Sequence, residues 1–336
     1  MHCANSISNL AIFNQGRTTI RTLLIALSFL VATANAQPYP SRPVHIIVPF
    51  PPGGTTDIVA RLVGERLAAT LGQPAVIENR AGAGGAVGAA EIARAAPDGY
   101  TLGLATVSTH GVNPAINPKL PYDALRDFTP ISNLASVPNV VSAHPALGVR
   151  DLRGLIERAR ANPGRITYAS AGNGSLSHML GELFKASTDT DLLHVPYRGV
   201  GPALNDTLGG QVNLLFDNLP SSLPYIQSGK LRALAVSSPA RLDALPGVQT
   251  FAEAGVPQLN DPSWFGLVGP AKLPEPVLAR VHQAVTKTLA TPEVRERMQN
   301  VGAMPAGNSP REFAAQIRRE IERHKRVAEE SGIRVD

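Results

Sequence analysis

The chain has 336 residues, with 31 lysine and arginine residues against 26 aspartate and glutamate residues, and a formal charge of +5. This charge is too small to indicate nucleic-acid binding, and no basic stripe with interleaved aromatic residues runs along the chain. The single cysteine, Cys3, lies in the first few residues. The rest of the chain can therefore form no disulfide, and its stability must come from a large apolar core. Its length, about that of two domains, is sufficient for such a core.

The first 36 residues have the pattern of a secretory leader. Arg17 and Arg21 precede an apolar run at residues 22–33, and Ala34 and Ala36 are small residues at the positions that signal peptidase reads. The apolar run is too short to span a bilayer with ease, which disfavours a membrane anchor. We therefore expect export to the periplasm, with cleavage after Ala36.

Strand and helix patterns alternate from residue 44 onward, which is typical of an α/β fold. An apolar strand at residues 44–48 is followed by a Pro-Pro-Gly-Gly turn and a helix, in which Thr55 or Thr56 could be the N-cap and Asp57 lies in the first turn. Gly72 is expected to end this helix. Further strands are predicted at residues 75–78, 101–105, 166–169, 192–196, 212–216 and 231–236.

The last part of the chain is predicted to be helical. Thr291-Pro292 and Ser309-Pro310 are typical of two helix starts, and Glu312 completes a capping box in the second. The buried stripe of the last helix is predicted to be Phe313, Ile317 and Ile321.

Two turns of the same kind are suited to binding an anion. The turn at residues 49–57 leaves backbone N–H groups unpaired at the start of a helix, and it carries no catalytic side chain. Residues 166–175 repeat the order of strand and glycine-rich turn, before a helix predicted at residues 177–186. Because doubly wound domains bind ligands at the carboxyl ends of their strands, two such domains facing each other would enclose one ligand.

A further glycine-rich turn follows the strand predicted at residues 75–78. Gly82, Gly84 and Gly88 miss the dinucleotide-binding spacing by one residue, and no phosphate-binding loop ending in Gly-Lys-Ser/Thr occurs. A backbone nest for a carboxylate is favoured over a nucleotide site, and no cofactor is expected.

Ser175 and His178 suggest a nucleophile and its base. The pattern Gly-x-Ser-x-Gly is absent, however, because Asn173 and Ser177 occupy the glycine positions. A helix cap is therefore favoured for Ser175, and an enzyme is not expected. The histidines of the chain lack the spacing of metal ligands, which disfavours a metal site.

Two charged residues have open roles at this point. Asp217 ends a predicted strand, where it could orient an amine or hydroxyl group of a ligand or could cap the next turn. Arg198 could attract an acidic ligand to the mouth of a cleft, although a solvated side chain is favoured for it.

Taken together, the ordered motifs of the chain resemble one family. It is similar to Bug-type receptors, the TctC-like solute-binding proteins of tripartite tricarboxylate transporters. The resemblance covers residues 39–320, and Arg198 departs mildly from it because lysine is commoner at this position. The matching motifs lie at residues 49–57, 78–85, 97–101, 119–123, 127–130, 168–175, 194–199, 208–212, 216–217, 230–235 and 264–266.

The resemblance implies an α/β, two-lobed periplasmic-binding-protein fold of the type II, Venus-flytrap kind, each lobe with a mostly parallel sheet flanked by helices. After the leader (1–36), lobe 1 is expected at residues 37–138 plus 256–336 and lobe 2 at residues 139–255. Hinge segments are expected near residues 136–143 and 247–263. Such a receptor closes on a small organic acid.

The resemblance also implies partners and a site. The expected partners are a small carboxylate ligand and the TctA/TctB-like subunits of a membrane transporter, or alternatively a membrane sensor; no nucleic acid is expected, and the chain is expected to be a monomer. An α/β hydrolase or reductase is the disfavoured alternative of another class. The ligand-binding positions are expected to be Pro52, Gly53, Gly54, Thr55, Asp57, Gly82, Ala83, Gly84 and Gly85 in lobe 1, and Ala171, Gly172, Ser175, His178, Tyr197, Gly199 and Asp217 in lobe 2.

Overall fold

The computed structural model describes residues 39–333. The predicted leader and its cleavage site therefore lie outside the described residues. Within this range no helix is long and apolar enough to cross a membrane.

The described strands, in chain order, are β1 (Val44–Val48), β2 (Ala75–Asn79), β3 (Thr101–Thr106), β4 (Phe128–Val137), β5 (Asn139–Ala143), β6 (Ile166–Ser170), β7 (Leu192–Pro196), β8 (Leu214–Asn218), β9 (Arg232–Val236), β10 (Ser263–Pro270) and β11 (Met304–Pro305). The described α-helices are α1 (Thr55–Leu71), α2 (Ala86–Arg94), α3 (Asn113–Ile116), α4 (Leu152–Ala161), α5 (Leu176–Thr188), α6 (Val200–Leu208), α7 (Leu219–Gln227), α8 (Glu275–Leu289), α9 (Pro292–Asn300) and α10 (Pro310–Ser331).

These strands form two sheets, each flanked by helices. The first has six strands in the order β11-β4-β10-β3-β1-β2, and the second has five strands in the order β7-β6-β8-β5-β9. The two-lobed α/β fold predicted from the resemblance is therefore confirmed.

Both sheets are mixed, whereas mostly parallel sheets were expected. In the first sheet β1 pairs in parallel with β2 and β3, but β10 runs antiparallel to both β3 and β4. In the second sheet β6 pairs in parallel with β7 and β8, but β5 runs antiparallel to β8 and β9. The antiparallel strands β5 and β10 are those by which the chain enters the second sheet and returns to the first.

The chain crosses between the sheets at two places. Only Pro138 separates β4 from β5, while residues 237–262 join β9 to β10. The segments predicted as hinges overlap both crossings.

Local sequence accounts for the helix ends. Gly72 ends α1 in the left-handed conformation at φ 80°, which glycine adopts without steric cost. Ser309 and Glu312 form the predicted capping box of α10. The stripe Phe313, Ile317 and Ile321 is buried as predicted.

Candidate functional site

A cavity lies between the two sheets, at the carboxyl ends of β1, β3, β6 and β8. Ligands of doubly wound folds occupy this position. Four of the residues predicted for the site line the cavity, namely Gly54, Thr55, Ala171 and Asp217. The lining residues that were not predicted are Phe50, Thr56, Thr106, Val107, Ser108, Asn139, Leu176, Ser177, Leu180, Val200, Asn218, Ser263, Trp264 and Phe265.

The start of α1 forms the wall in lobe 1. Its N-cap is Gly54, not Thr55 or Thr56 as predicted, and no side chain caps the helix. The Thr55 hydroxyl instead reaches lobe 2, where it lies 2.9 Å from Ser221 Oγ and 3.3 Å from the Asn218 carbonyl oxygen. The first-turn N–H groups of α1 therefore remain free of a capping side chain beside the cavity.

Asp57 stabilises this turn through hydrogen bonds and does not line the cavity. Its carboxylate accepts hydrogen bonds from the backbone N–H of Gly53 at 3.1 Å, from Arg61 Nε at 3.0 Å and from Asn79 Nδ2 at 3.0 Å. Burial raises the pKa of Asp57, but these hydrogen bonds outweigh it and hold the pKa below its usual value. Asp57 therefore fixes the shape of the turn from which α1 begins.

The predicted turn at Pro52–Gly54 and the glycine loop at residues 82–85 lie where the lobes meet. A Cβ atom on Gly84 would come within 2.6 Å of the Asn173 carbonyl oxygen in lobe 2, and Gly84 has φ 59°. A Cβ on Gly201 would lie 3.0 Å from the Pro52 carbonyl oxygen. Pro52 and Gly84 therefore lie at contacts between the lobes, and neither they nor Gly53, Gly82, Ala83 and Gly85 line the cavity.

The turn between β6 and α5 forms the wall in lobe 2. Ser175 is the N-cap of α5: its Oγ donates to the Gly172 carbonyl at 2.6 Å and accepts from the His178 backbone N–H at 3.3 Å. The Leu176 N–H donates to Ser108 Oγ across the lobes at 3.0 Å. Ala171, with its N–H bound to Ser177 Oγ at 2.8 Å, lines the cavity, while Gly172 and Ser175 lie just behind it.

His178 faces a second histidine rather than the cavity. Its ring stacks on His194 with centroids 4.4 Å apart, and His194 Nε2 lies 2.6 Å from Ser170 Oγ. Burial lowers the pKa of His178 and brings that of His194 to about 4, so both rings are neutral at pH 7. The contacts of Ser175 and His178 are those of a helix cap, and no hydrogen bond joins the Ser175 hydroxyl to the His178 ring.

Tyr197 and Gly199 lie on the loop before α6. The Tyr197 hydroxyl donates to Asp206 at 2.7 Å. Gly199 has φ 139°, and a Cβ on it would come within 2.3 Å of Pro51 Cδ in lobe 1. Both residues support the rim of the cavity without lining it, and the Arg198 side chain between them is exposed.

A buried polar network closes the side of the cavity next to the crossing segments. Asn139 Oδ1 accepts from Asn218 Nδ2 at 2.7 Å and from Ser263 Oγ at 2.6 Å. These residues come from β5, β8 and β10. Sequence patterns did not indicate this network because β5 and β10 were not predicted as strands.

The electrostatics of the cavity are set by one carboxyl group and two helix ends. No lysine, arginine or histidine lines it among the described residues, and the only ionisable lining side chain is that of Asp217. The N-terminal ends of α1 and α5 both meet the cavity, where their partial positive charge favours an anion. The first-turn N–H groups of α1, which no side chain caps, are therefore suited to an anion.

Asp217 is 2% exposed and lies within β8, although a position at the end of a strand at residues 212–216 was predicted. Its Oδ2 accepts from Ser221 Oγ at 2.5 Å and Ser222 Oγ at 2.6 Å, whereas Oδ1 has no partner in the described chain. Burial raises the pKa of Asp217 to about 6, although hydrogen bonds from the Ser221 and Ser222 hydroxyls oppose the shift.

The raised pKa predicts a pH dependence of the ligand-free protein. Asp217 releases its proton near pH 3.8 in the unfolded chain but near pH 6 in the folded one. Between these values the folded state binds more protons, so stability falls as pH rises. Relative to Asp217→Asn, the free energy of unfolding of the wild type should decline by up to about 3 kcal/mol from pH 4 to pH 7. Urea titrations measure this difference, and parallel pH curves for the two proteins would contradict it.

The fold agrees with comparisons to known proteins. The model of the tripartite tricarboxylate transporter family receptor, TctC, matches residues 59–333. The chain is similar to the solved periplasmic binding protein BugD, with 34% identity and a TM-score of 0.85 over 88% of this chain and 99% of BugD. It is also similar to Rpa4515 of R. palustris with adipate, with 37% identity and a TM-score of 0.85 over 88% of this chain and 99% of that one.

A third solved structure, MatC (Rpa3494) from Rhodopseudomonas palustris with bound malate, is 37% identical with a TM-score of 0.83 over 86% of this chain and 99% of MatC. These matches define the class as solute-binding receptors with the periplasmic-binding-protein fold. The chain belongs to the TctC receptor family, and the predicted resemblance to Bug-type receptors is confirmed.

Proposed function

We propose that this protein is an exported receptor that captures a small organic acid between its two lobes and delivers it to a membrane transporter. The observation that carries the proposal is the cavity beside the uncapped N-terminus of α1, with no cationic side chain in its lining among the described residues. The first-turn N–H groups of α1 are suited to binding a carboxylate there. The adipate and malate in two similar structures support an acid as the ligand class.

In this proposal residues 37–138 and 256–336 form lobe 1, residues 139–255 form lobe 2, and the two crossings act as hinges. The ligand enters when the lobes separate, and the closed form is favoured because both lobes then contact the ligand. The close approaches of Gly84 to Asn173 and of Gly199 to Pro51 are the contacts that closure makes. Of the sixteen predicted positions, four line the cavity and the other twelve do not.

The proposed setting is the periplasm, reached after cleavage at Ala36, where the receptor acts as a monomer. TctA/TctB-like transporter subunits are the proposed partners, and a membrane sensor is the alternative. Loss of the gene would abolish uptake of the acid in the first case, and would abolish a transcriptional response with uptake unchanged in the second.

A receptor without enzymatic activity is proposed because the cavity lining holds no nucleophile paired with a base. The Ser175 hydroxyl is engaged in capping α5. Turnover of an ester or a nicotinamide substrate that is lost in Ser175→Ala would contradict this part of the proposal.

The testing experiment is a thermal-shift screen of residues 37–336 against succinate, malate, adipate, citrate, benzoate and aspartate. A ligand present at 100 times its Kd stabilises the folded state by about 2.7 kcal/mol, which raises the Tm by several degrees. Citrate and benzoate test larger and aromatic acids in the same cavity. No shift with any of these acids would contradict the proposal.

A matched pair of variants shows whether the acid binds in this cavity. Ala171→Leu adds bulk to the cavity wall and should weaken binding by about 5- to 150-fold, because overpacking a filled site costs about 1–3 kcal/mol. Ala161→Leu makes the same change on the exposed end of α4 and should leave binding unchanged. Equal affinities for the two variants would place the binding site elsewhere.

A further inference from the structure

One polar atom of the cavity wall has no partner. Asp217 lies in the middle of the second sheet, opposite Val140 of β5 and next to the end of β8. Its side chain lines the cavity and is 2% exposed, and Oδ1 forms no hydrogen bond within the described chain. Leaving a buried acceptor unpaired costs about 1–3 kcal/mol, and more when the group is charged.

The neighbouring polar groups do not supply the missing donor. The Ser221 and Ser222 hydroxyls both donate to Oδ2. Asn218 Nδ2 is directed to Asn139 Oδ1 and Ser263 Oγ. Among the described residues, Asp217 Oδ1 therefore remains an unpaired acceptor in the lobe 2 wall, whereas the lobe 1 wall has the donor groups at the start of α1.

These donors and this acceptor are close together. Thr55, the first residue of α1, is linked to Ser221 by a 2.9 Å hydrogen bond, and Ser221 to Asp217 by one of 2.5 Å. A ligand carboxylate at the start of α1 is thus within a few bond lengths of Asp217. An acid without a donor of its own would bring its carboxylate next to an unpaired acceptor, with no cationic side chain to offset the repulsion.

We propose that the ligand is an organic acid that carries an O–H or N–H donor on the carbon next to its carboxylate or one carbon further, and that Asp217 selects it by accepting this donor. The inference rests on the proposed function and narrows its ligand class. A site that is built to pair a ligand donor rejects the analogue lacking it, because the protein acceptor is then left buried and unpaired.

Three matched sets of acids test the inference by calorimetric titration of residues 37–336. They are succinate, malate and aspartate; adipate, 2-hydroxyadipate and 2-aminoadipate; and 3-phenylpropionate, phenyllactate and phenylalanine. In the set that fits the cavity, a hydroxy or amino acid should bind at least about 10-fold more tightly than the unsubstituted acid. The hydroxyl and amino arms distinguish which donor is selected.

Asp217→Asn tests whether Asp217 is responsible. Because the amide replaces an acceptor by a group that can also donate, the preference for the substituted acid should fall to less than about 3-fold. Ser222→Ala is the matched control: it removes a bond to Oδ2 and leaves Oδ1 in place, so the preference should persist. Circular dichroism checks that each variant is folded. If Asp217→Asn does not fold, Asp217→Ser is tested in its place.

The outcomes separate the two proposals. Equal or tighter binding of the unsubstituted acid in every set overturns the inference and leaves the receptor function standing. A preference that is unchanged in a folded Asp217 variant also overturns it. If none of the nine acids binds, the proposed function itself is contradicted. The wild-type affinities within each set test the inference without any variant.

Discussion

Replacing Gly201 by leucine should weaken ligand binding by about 10- to 100-fold while leaving the ligand-free protein folded. Gly201 lies in the first turn of α6, and a Cβ atom on it would be 3.0 Å from the Pro52 carbonyl oxygen of the opposite lobe. A leucine there fits the helix when the lobes are apart but clashes when they meet. The variant therefore penalises the closed form alone, and titration calorimetry with the acid found in the screen measures the loss.

Gly209 provides the matched control for this prediction. It lies at the other end of the same helix, and the atoms nearest to a Cβ on it belong to Asn205 and Asp206 of its own lobe. Gly209→Leu should bind the acid as the wild type does. Wild-type affinity in Gly201→Leu would contradict closure, because the clash would then have no effect on the bound form.

Replacing Phe313 by alanine should lower the free energy of unfolding by about 3–5 kcal/mol. The ring is fully buried in α10 and packs edge-on against Trp264, with centroids 5.3 Å apart. It also lies against Gly266, where a Cβ atom would be 2.1 Å from the ring. Since Trp264 lines the cavity and donates through Nε1 to Glu320 of the same helix, loss of the ring should also weaken binding.

Leu193 is the control for Phe313. It is 55% exposed on β7, so Leu193→Ala should change the free energy of unfolding by less than about 0.5 kcal/mol. Urea denaturation measures both variants. A Phe313→Ala loss as small as that of Leu193→Ala would show that α10 does not support the wall of the cavity.

The elements with strong local signals were predictable from the sequence. The β1–α1 junction, the α5 turn and the capping box of α10 have turn glycines or capping residues at fixed positions. The strand β4 was missed because Pro130 and several polar residues break the apolar run expected of a strand. Asn139 of β5 is explained only by its contacts with Asn218 of β8 and Ser263 of β10.

The turns of the candidate site could be predicted from the sequence, but most of the residues that line the cavity could not. Gly54 and Ala171 follow directly from the two strand–turn–helix motifs, and the resemblance suggested Asp217. Thr55 was taken for a cap because nothing local shows that its hydroxyl is used by Ser221 of the other lobe. Ser263 and Trp264 reach the cavity from a strand more than 200 residues after β1. Local sequence patterns do not show that residues so far apart in the chain lie close together.

The central claim is that an acid binds between two walls, one from each lobe. Amide hydrogen exchange with and without the acid that raises the Tm most tests it most directly. Binding between the lobes should slow exchange at both helix starts, residues 53–57 and 175–178, with no change on the exposed face of α4. Slower exchange at only one of these starts, or at neither, would contradict capture between the lobes.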